Sequence, residues 1–410
     1  MLSSSTPLPT LCDVLVIGAG PAGSSCAQLL ARGGFDVVLV DQHAFPRDKV
    51  CGDGLIPDTH AALRRLGVLE EVMAKAQRVR HVGCVGPSGG RVDVPGSLAV
   101  LPRRELDDIV YRAAVRAGAK TLAPARFEAP IEENGNIVGA RLKVDNALHE
   151  IRSRWLVLAT GAVPQAMIAA SMCDRRTPSG VALRGYIKND AMVGRITELE
   201  VVWHKRLRPG YGWIFPCRDG VFNIGVGVLG SHRLEAGRAR MQDTNLREVL
   251  QSFCEFYKPA RELMAGGKLV GELKGAPLRC TLVGARYSRP GALATGEAVG
   301  STYAFTGEGI GKAMETGMLA ADALLRGRGE GLDDAAVRSR YEVSLLALKP
   351  RFELYEKANK VNAHPWLADL LIWRAKKSER LLQRMSGVLN ETSNPGHLVT
   401  FKGITRLFLE

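Results

Sequence analysis

Six residues near the start of the chain, Gly18-Ala19-Gly20-Pro21-Ala22-Gly23, have the spacing G-x-G-x-x-G, and Asp41 stands 18 residues beyond the last of them. Such a set holds the diphosphate and ribose of a dinucleotide. Gly18 permits a tight turn, Gly20 lets the backbone approach the pyrophosphate, and Gly23 lets a helix pack closely on a strand. The loop, with Pro21 and Ala22 in it, opens onto a helix N-terminus, where unpaired N–H groups and a partial positive charge attract phosphate. Asp41 is placed to accept hydrogen bonds from the adenosine ribose. The same spacing recurs at Gly225-Val-Gly227-Val-Leu-Gly230. That copy lies in a β-alternating run with no helix pattern after it, so it reads as strand glycines.

The first motif has the elements it needs. Val14–Ile17 is an apolar run suited to a strand buried on both faces. Ser24–Arg32 reads as a helix ended by Gly33-Gly34, and Val37–Val40 as a second parallel strand closed by Asp41. A helix is expected within Pro102–Gly118, and a buried strand at Trp155–Ala159, ended by Thr160-Gly161. Between them, Ile137–Val144 and His149–Arg152 are expected to form an antiparallel insertion around an Asn134-Gly135 turn. Residues 181–230 are mostly β, with a hairpin of Tyr211–Pro216 and Val221–Val228 across Arg218-Asp219-Gly220. A short strand at Ala292–Ala294 leads through a glycine-rich loop to a helix from about Gly309. The remainder is mainly helical, broken at Pro350 and Pro365. The expected fold is α/β. A Rossmann-like domain, discontinuous over residues 1–75, 100–165 and 285–330, is interrupted by a β-rich substrate domain at 76–99 and 166–284. Residues 331–410 form a C-terminal helical region.

Bulk composition narrows the partners. A chain of 410 residues is long for a single core. Its net charge of +13 favours an anionic partner: a phosphate-rich cofactor, an acidic substrate or an anionic membrane surface. A basic motif with interleaved aromatics is lacking, which argues against nucleic acid. No stretch has the length of a membrane-spanning helix, and Met1–Pro9 has no signal-peptide pattern. The cytoplasm, or the inner membrane face reached from it, is the expected location. The eight cysteines and eight histidines are scattered without metal-ligand spacing, so no metal and no disulfide framework is expected.

Four later segments separate FAD from NAD. They are Pro46-Arg-Asp-Lys-Val-Cys51-Gly52-Asp53-Gly54-Leu55; Tyr211-Gly-Trp213-Ile-Phe215-Pro216 with Gly225; Gly296-Glu297 with Phe305-Thr-Gly307-Glu308-Gly309-Ile310; and the tail Gly387–Pro395. In this order they resemble the geranylgeranyl reductase family, a branch of the flavoproteins that also contains aromatic hydroxylases and flavin-dependent halogenases. The resemblance implies FAD as cofactor. It implies that Arg103, in Arg103-Arg-Glu-Leu-Asp107, contacts the FAD phosphate or ribose region. It also implies that Gly296 and Glu297 lie on the cofactor, and that Gly307, Gly309 and Ile310 set a helix N-terminus at the flavin pyrimidine edge. Two positions depart from the family: Glu297 stands where Asp is common, and Thr160-Gly161 where relatives often read Asp-Gly.

On the substrate side, Cys51 and Gly52 are expected near the flavin ring. The thiol reads equally as a proton donor or as a small apolar residue packed on the ring. Asp53 reads as a cap for a helix starting near Pro57. Tyr211, Trp213 and Phe215 alternate, so a strand puts them on one face, as a wall above the flavin or as sheet core. His204-Lys-Arg-Leu-Arg208 reads as a site for an anionic head or, more commonly, a solvated loop. The stretch with Trp366, Trp373, Arg374, Lys376, Lys377, Arg380 and Arg384 has a composition that permits docking on a membrane surface, and an ordinary exposed helix accounts for it too. The implied reaction is reduction of polyprenyl carbon–carbon double bonds, with NAD(P)H or another reductant docking transiently. The alternatives are a monooxygenase acting on an aromatic substrate, free or bound to a peptide or carrier, and a non-catalytic flavin-bearing maturation factor.

Overall fold

Leu11–Ile17 carries apolar residues on both faces and takes the centre of a sheet, as such a strand must. In the computed structural model, which describes residues 8–230 and 244–393, it pairs in parallel with Val37–Val40 on one side and Ala147–Leu158 on the other. Lys120–Leu122 extends the sheet beyond Val37–Val40, and Ala292–Ala294 extends it beyond Ala147–Leu158. The helix Pro21–Arg32 starts with proline in its first turn, where no intrahelical donor is lost. It runs against the long helix Ile310–Gly329. Gly317 makes this close approach feasible, since a Cβ there would lie 2.2 Å from the Ala22 carbonyl oxygen.

The insertion in this sheet corrects one expectation. Asn136–Val144 does pair with Ala147–Leu158, but around Asp145-Asn146. Asn134-Gly135 closes the preceding hairpin, between Arg126–Glu133 and Asn136–Val144. All four turn residues have positive φ, as two-residue hairpin turns that match strand twist require.

A second sheet runs in the order Lys268–Leu278, Gly180–Lys188, Val221–Leu229, Gly210–Pro216, Leu199–Val202, Gln77–Val85, Arg91–Val100 and Gly54–Leu55. The expected hairpin across Arg218-Asp219-Gly220 lies at its centre. Its faces have different partners. Ile214, Ile224 and Leu183 pack with Phe253 and Leu263 of the helices Leu246–Phe256 and Lys258–Ala265. Trp213, Val82 and Leu199 face the helices Trp366–Ala375 and Glu379–Leu389. Pro350 and Pro365 stand at helix starts, as their missing N–H dictates. Asn394 and Pro395, the end of the fourth sequence segment, lie outside the described residues.

Candidate active site

A cavity of about 1180 Å³ lies between the two sheets and runs from the glycine loop to the C-terminal helices. At its polar end the strand-to-helix turn is fixed by steric necessity. A Cβ on Gly23 would lie 1.7 Å from the Gly18 carbonyl oxygen, and one on Gly18 would lie 2.3 Å from that of Ala159. Gly20 differs: a Cβ there would meet only Arg47 Nη2, at 3.3 Å. Its backbone therefore lies open to the cavity. Ala22 and Gly23 follow in the first helical turn, whose N–H groups have no intrahelical acceptor.

Asp41 is buried and accepts a hydrogen bond from the Ala19 N–H at 2.9 Å and one from the His43 N–H at 3.0 Å. A carboxylate has room for further donors, so a ribose hydroxyl can still be bound. Arg103 is buried and forked onto Asp107, Nε at 2.6 Å and Nη2 at 2.8 Å. Arg47 shares that carboxylate at 3.1 Å and lies 3.5 Å from Asp41. Arg47 lies within Pro46–Leu55, where spacing alone shows no role for it. Its position beside Gly20 brings a second guanidinium to the phosphate end.

The other cofactor positions gather round the same cavity. Gly296, Gly307 and Gly309 are glycines for space: a Cβ would lie 2.6 Å from Ala22 Cβ, 2.7 Å from Tyr211 Oη and 2.5 Å from Thr302 Oγ1 respectively. Gly309 precedes the helix Ile310–Gly329, whose first residue lines the cavity. Glu297 also lines it and accepts from Thr302 Oγ1 at 3.3 Å. Thr160 lines it with a buried hydroxyl that has no protein partner. An open glycine loop, a free helix turn, two guanidiniums and an orphaned hydroxyl along one cavity fit a diphosphate-bearing cofactor such as FAD.

Asp53 does not cap the helix Pro57–Leu66, whose N-cap is Ile56. It is wholly buried with φ of 65° and accepts from Tyr186 Oη at 2.5 Å and Asn223 Nδ2 at 2.7 Å. Burial pushes its carboxyl up to about 6, against the pull of Tyr186, Arg184 and Asn223. Asn223 also donates to the Cys51 carbonyl at 2.8 Å and accepts from Trp213 Nε1 at 2.8 Å. One asparagine thus orients both the cysteine loop and the indole. Burial raises the Cys51 thiol above its usual value, and the nearby Arg103 charge opposes that rise. Arg184, itself buried, ties this loop to the second sheet through Asp48 at 2.7 Å and the Lys49 carbonyl at 2.9 Å.

Tyr211, Trp213 and Phe215 line the cavity from one strand face, as their alternation requires. Gly52 touches this wall, since a Cβ on it would lie 3.1 Å from the Phe215 ring. Beyond the wall the cavity continues as an apolar arm bounded by Val82, Leu199, Leu371, Ile372 and Met385. The basic run His204–Arg208 contributes nothing to this lining; Arg206 pairs with Glu255 at 3.0 Å. Gly225-Val-Gly227-Val-Leu-Gly230 lies in and just after the strand Val221–Leu229, where Gly225 makes room for the Trp213 ring. Among the described residues there is no cluster of three potential metal ligands, and no helix is long and apolar enough to cross a membrane.

Residues 11–189 match the family described as FAD binding domain. The menaquinone reductase of Mycolicibacterium smegmatis is 34% identical over 349 residues, covering 78% of this chain and 77% of that protein. Digeranylgeranylglycerophospholipid reductase 1 of Methanopyrus kandleri is 27% identical over 334 residues, covering 80% and 84%. The chain belongs to the geranylgeranyl reductase family. As a member of that family it is an FAD-dependent oxidoreductase. Its fold is that of a solved geranylgeranyl bacteriochlorophyll reductase-like protein from Thermoplasma acidophilum, with a TM-score of 0.73 at 21% identity over 98% of this chain and 97% of that one.

Proposed function

We propose that this family member reduces carbon–carbon double bonds in the isoprenoid chain of a polyprenyl lipid. The observation that carries the reading is the apolar arm, which starts at the Tyr211–Trp213 wall and ends among the C-terminal helices. Menaquinone and digeranylgeranylglycerophospholipid, which name two relatives, are both isoprenoid lipids. FAD bound at the glycine loop supplies hydride, received from NAD(P)H or another reductant that docks transiently. Gly18, Gly20, Pro21, Ala22, Gly23, Asp41, Arg103, Gly296, Glu297, Gly307, Gly309 and Ile310 hold that cofactor. Tyr211, Trp213 and Phe215 would hold the alkene at the cofactor and exclude water. Cys51 holds a proton at Sγ, kept there by burial. Passing it to the alkene carbon leaves a thiolate that the Arg103 guanidinium stabilises. Gly52 leaves room for the Phe215 ring beside it.

Trp366 and Trp373 are about half exposed on the helix whose inner face closes the arm. Next to Lys376, Lys377 and Arg380 they suit an anionic membrane surface from which a lipid tail can enter. The test of the function is the product: under anaerobic turnover with a geranylgeranyl lipid, its mass should rise by two hydrogens per bond reduced. Ile372→Trp should block that turnover while the protein stays yellow. Equal turnover by this variant would contradict the arm as the substrate channel.

A further inference from the structure

Glu308 lies between Gly307 and Gly309 in the cavity lining, and Asp58 sits in the first turn of the helix Pro57–Leu66. Both stand at the start of the helix Ile310–Gly329, where each carboxyl group perturbs the titration of the other. Asp58 can come this close to the helix Ile310–Gly329 because residue 311 is glycine: a Cβ there would lie 2.2 Å from Asp58 Oδ2. Asp58 Oδ2 and Glu308 Oε1 are both buried, and neither accepts a hydrogen bond from the protein; Lys312 Nζ stands 3.6 Å from Asp58 Oδ2, beyond hydrogen-bond distance. Two neighbouring buried carboxyl groups that each leave an oxygen without a hydrogen bond are accounted for when they share a proton, because one group can then donate to the other.

Behind this pair is a chain of charged groups that reaches solvent. Lys312 Nζ is buried, 3.6 Å from Asp58, 2.8 Å from Glu391 and 2.7 Å from Glu315. The Glu315 side chain is 36% exposed. Glu391 also accepts from Tyr303 Oη at 2.7 Å and pairs with Arg351. Tyr355 stacks on Tyr303 with ring centroids 3.8 Å apart. Four acids therefore surround two bases, and side-chain exposure rises from Asp58, at 7%, through Glu391, at 11%, to Glu315. Burial and their mutual repulsion hold the Glu308 carboxyl well above the usual carboxylate range, and Asp58 is raised as well despite Lys312.

We propose that Asp58 and Glu308 share one proton at rest and take up a second, through Lys312, Glu391 and Glu315, when negative charge arrives in the cavity. The inference rests on the reading that this cavity holds FAD. A hydride delivered there brings two electrons and one proton, and adds one negative charge. One proton drawn from solvent onto the pair restores the net charge; the only bond made on the protein is O–H.

The test is the pH dependence of the midpoint potential of bound FAD at mildly alkaline pH. The wild type should show a slope of two protons per two electrons, and Glu308→Gln a slope of one. Infrared spectra of the holoenzyme with carboxyl-labelled glutamate should show a protonated carboxyl at neutral pH that disappears in Glu308→Gln. Should that variant not fold, Asp58→Asn must halve the proton slope in the same way. A fully loaded, yellow wild type with a one-proton slope, or variants that keep the wild-type slope, would overturn the inference and leave the cofactor reading standing. A wild type that takes up no FAD would overturn the cofactor reading itself.

Discussion

At Gly20 a side chain would project into the cavity and meet little but an arginine tip, whereas at Gly225 it would lie 2.2 Å from the Trp213 ring and 2.5 Å from the Leu183 carbonyl. Both residues belong to a G-x-G-x-x-G of the same spacing. In the first loop the missing side chain leaves room for something that is not protein. In the second it leaves room for an indole that forms the wall of the same cavity. A glycine pattern thus records only that space is needed; the following element decides for what. Pro21 opens a helix, so the free N–H groups of its first turn are left for the cavity. Val221–Leu229 is a strand with every residue paired, so its glycines serve packing.

The contrast can be broken most severely at Gly20. Gly20→Val should leave the protein folded but colourless, an affinity loss of about 100-fold or more if even 3 kcal/mol of phosphate contact is lost. Absorbance of the purified variant reads this directly. A yellow protein with full FAD occupancy would move the cofactor elsewhere.

The next largest effect concerns what holds the indole beside Gly225. Asp53 anchors Asn223, and its folded value of about 6 lies above the ordinary 3.8. Its contribution to stability is therefore present below pH 3.8 and is lost as pH rises through 6. The loss is about 3 kcal/mol. Urea titrations should show the difference in stability between wild type and Asp53→Asn changing over this window; a constant difference would mean that Asp53 is charged throughout.

Gly225→Ala should cost about 2 kcal/mol by overpacking against Trp213, read as a lowered urea midpoint. Gly227→Ala, whose Cβ would lie 3.7 Å from Trp213, should change stability by no more than about 0.5 kcal/mol. Equal costs at the two positions would remove the packing account of this second motif.

What was legible in the sequence follows the same division. The loop, its helix and Asp41 fall within a single βαβ unit, so local spacing and periodicity suffice to place them. The aromatic wall was legible because period-two alternation survives in any strand. Asp53 looks like a cap in the sequence because its partners Tyr186 and Asn223 are 133 and 170 residues away. The Asn134-Gly135 turn was attached to the wrong pair of strands because Asp145-Asn146, equally able to take positive φ, follows only one strand later. The Asp58–Glu308 pair left no trace in spacing at all, since each carboxylate alone looks like an ordinary polar residue near a helix start. The C-terminal helices are legible as helices, but not the cavity they close against the second sheet, because that depends on packing across hundreds of residues of chain.

The central claim is that the cavity brings an isoprenoid double bond to bound FAD. Anaerobic photoreduction followed by addition of a geranylgeranyl lipid tests it most directly. The account predicts that oxidised flavin absorbance returns as the lipid is consumed, one flavin per double bond reduced. Flavin that stays reduced with every isoprenoid, while oxygen and an aromatic ligand yield a hydroxylated product, would contradict it.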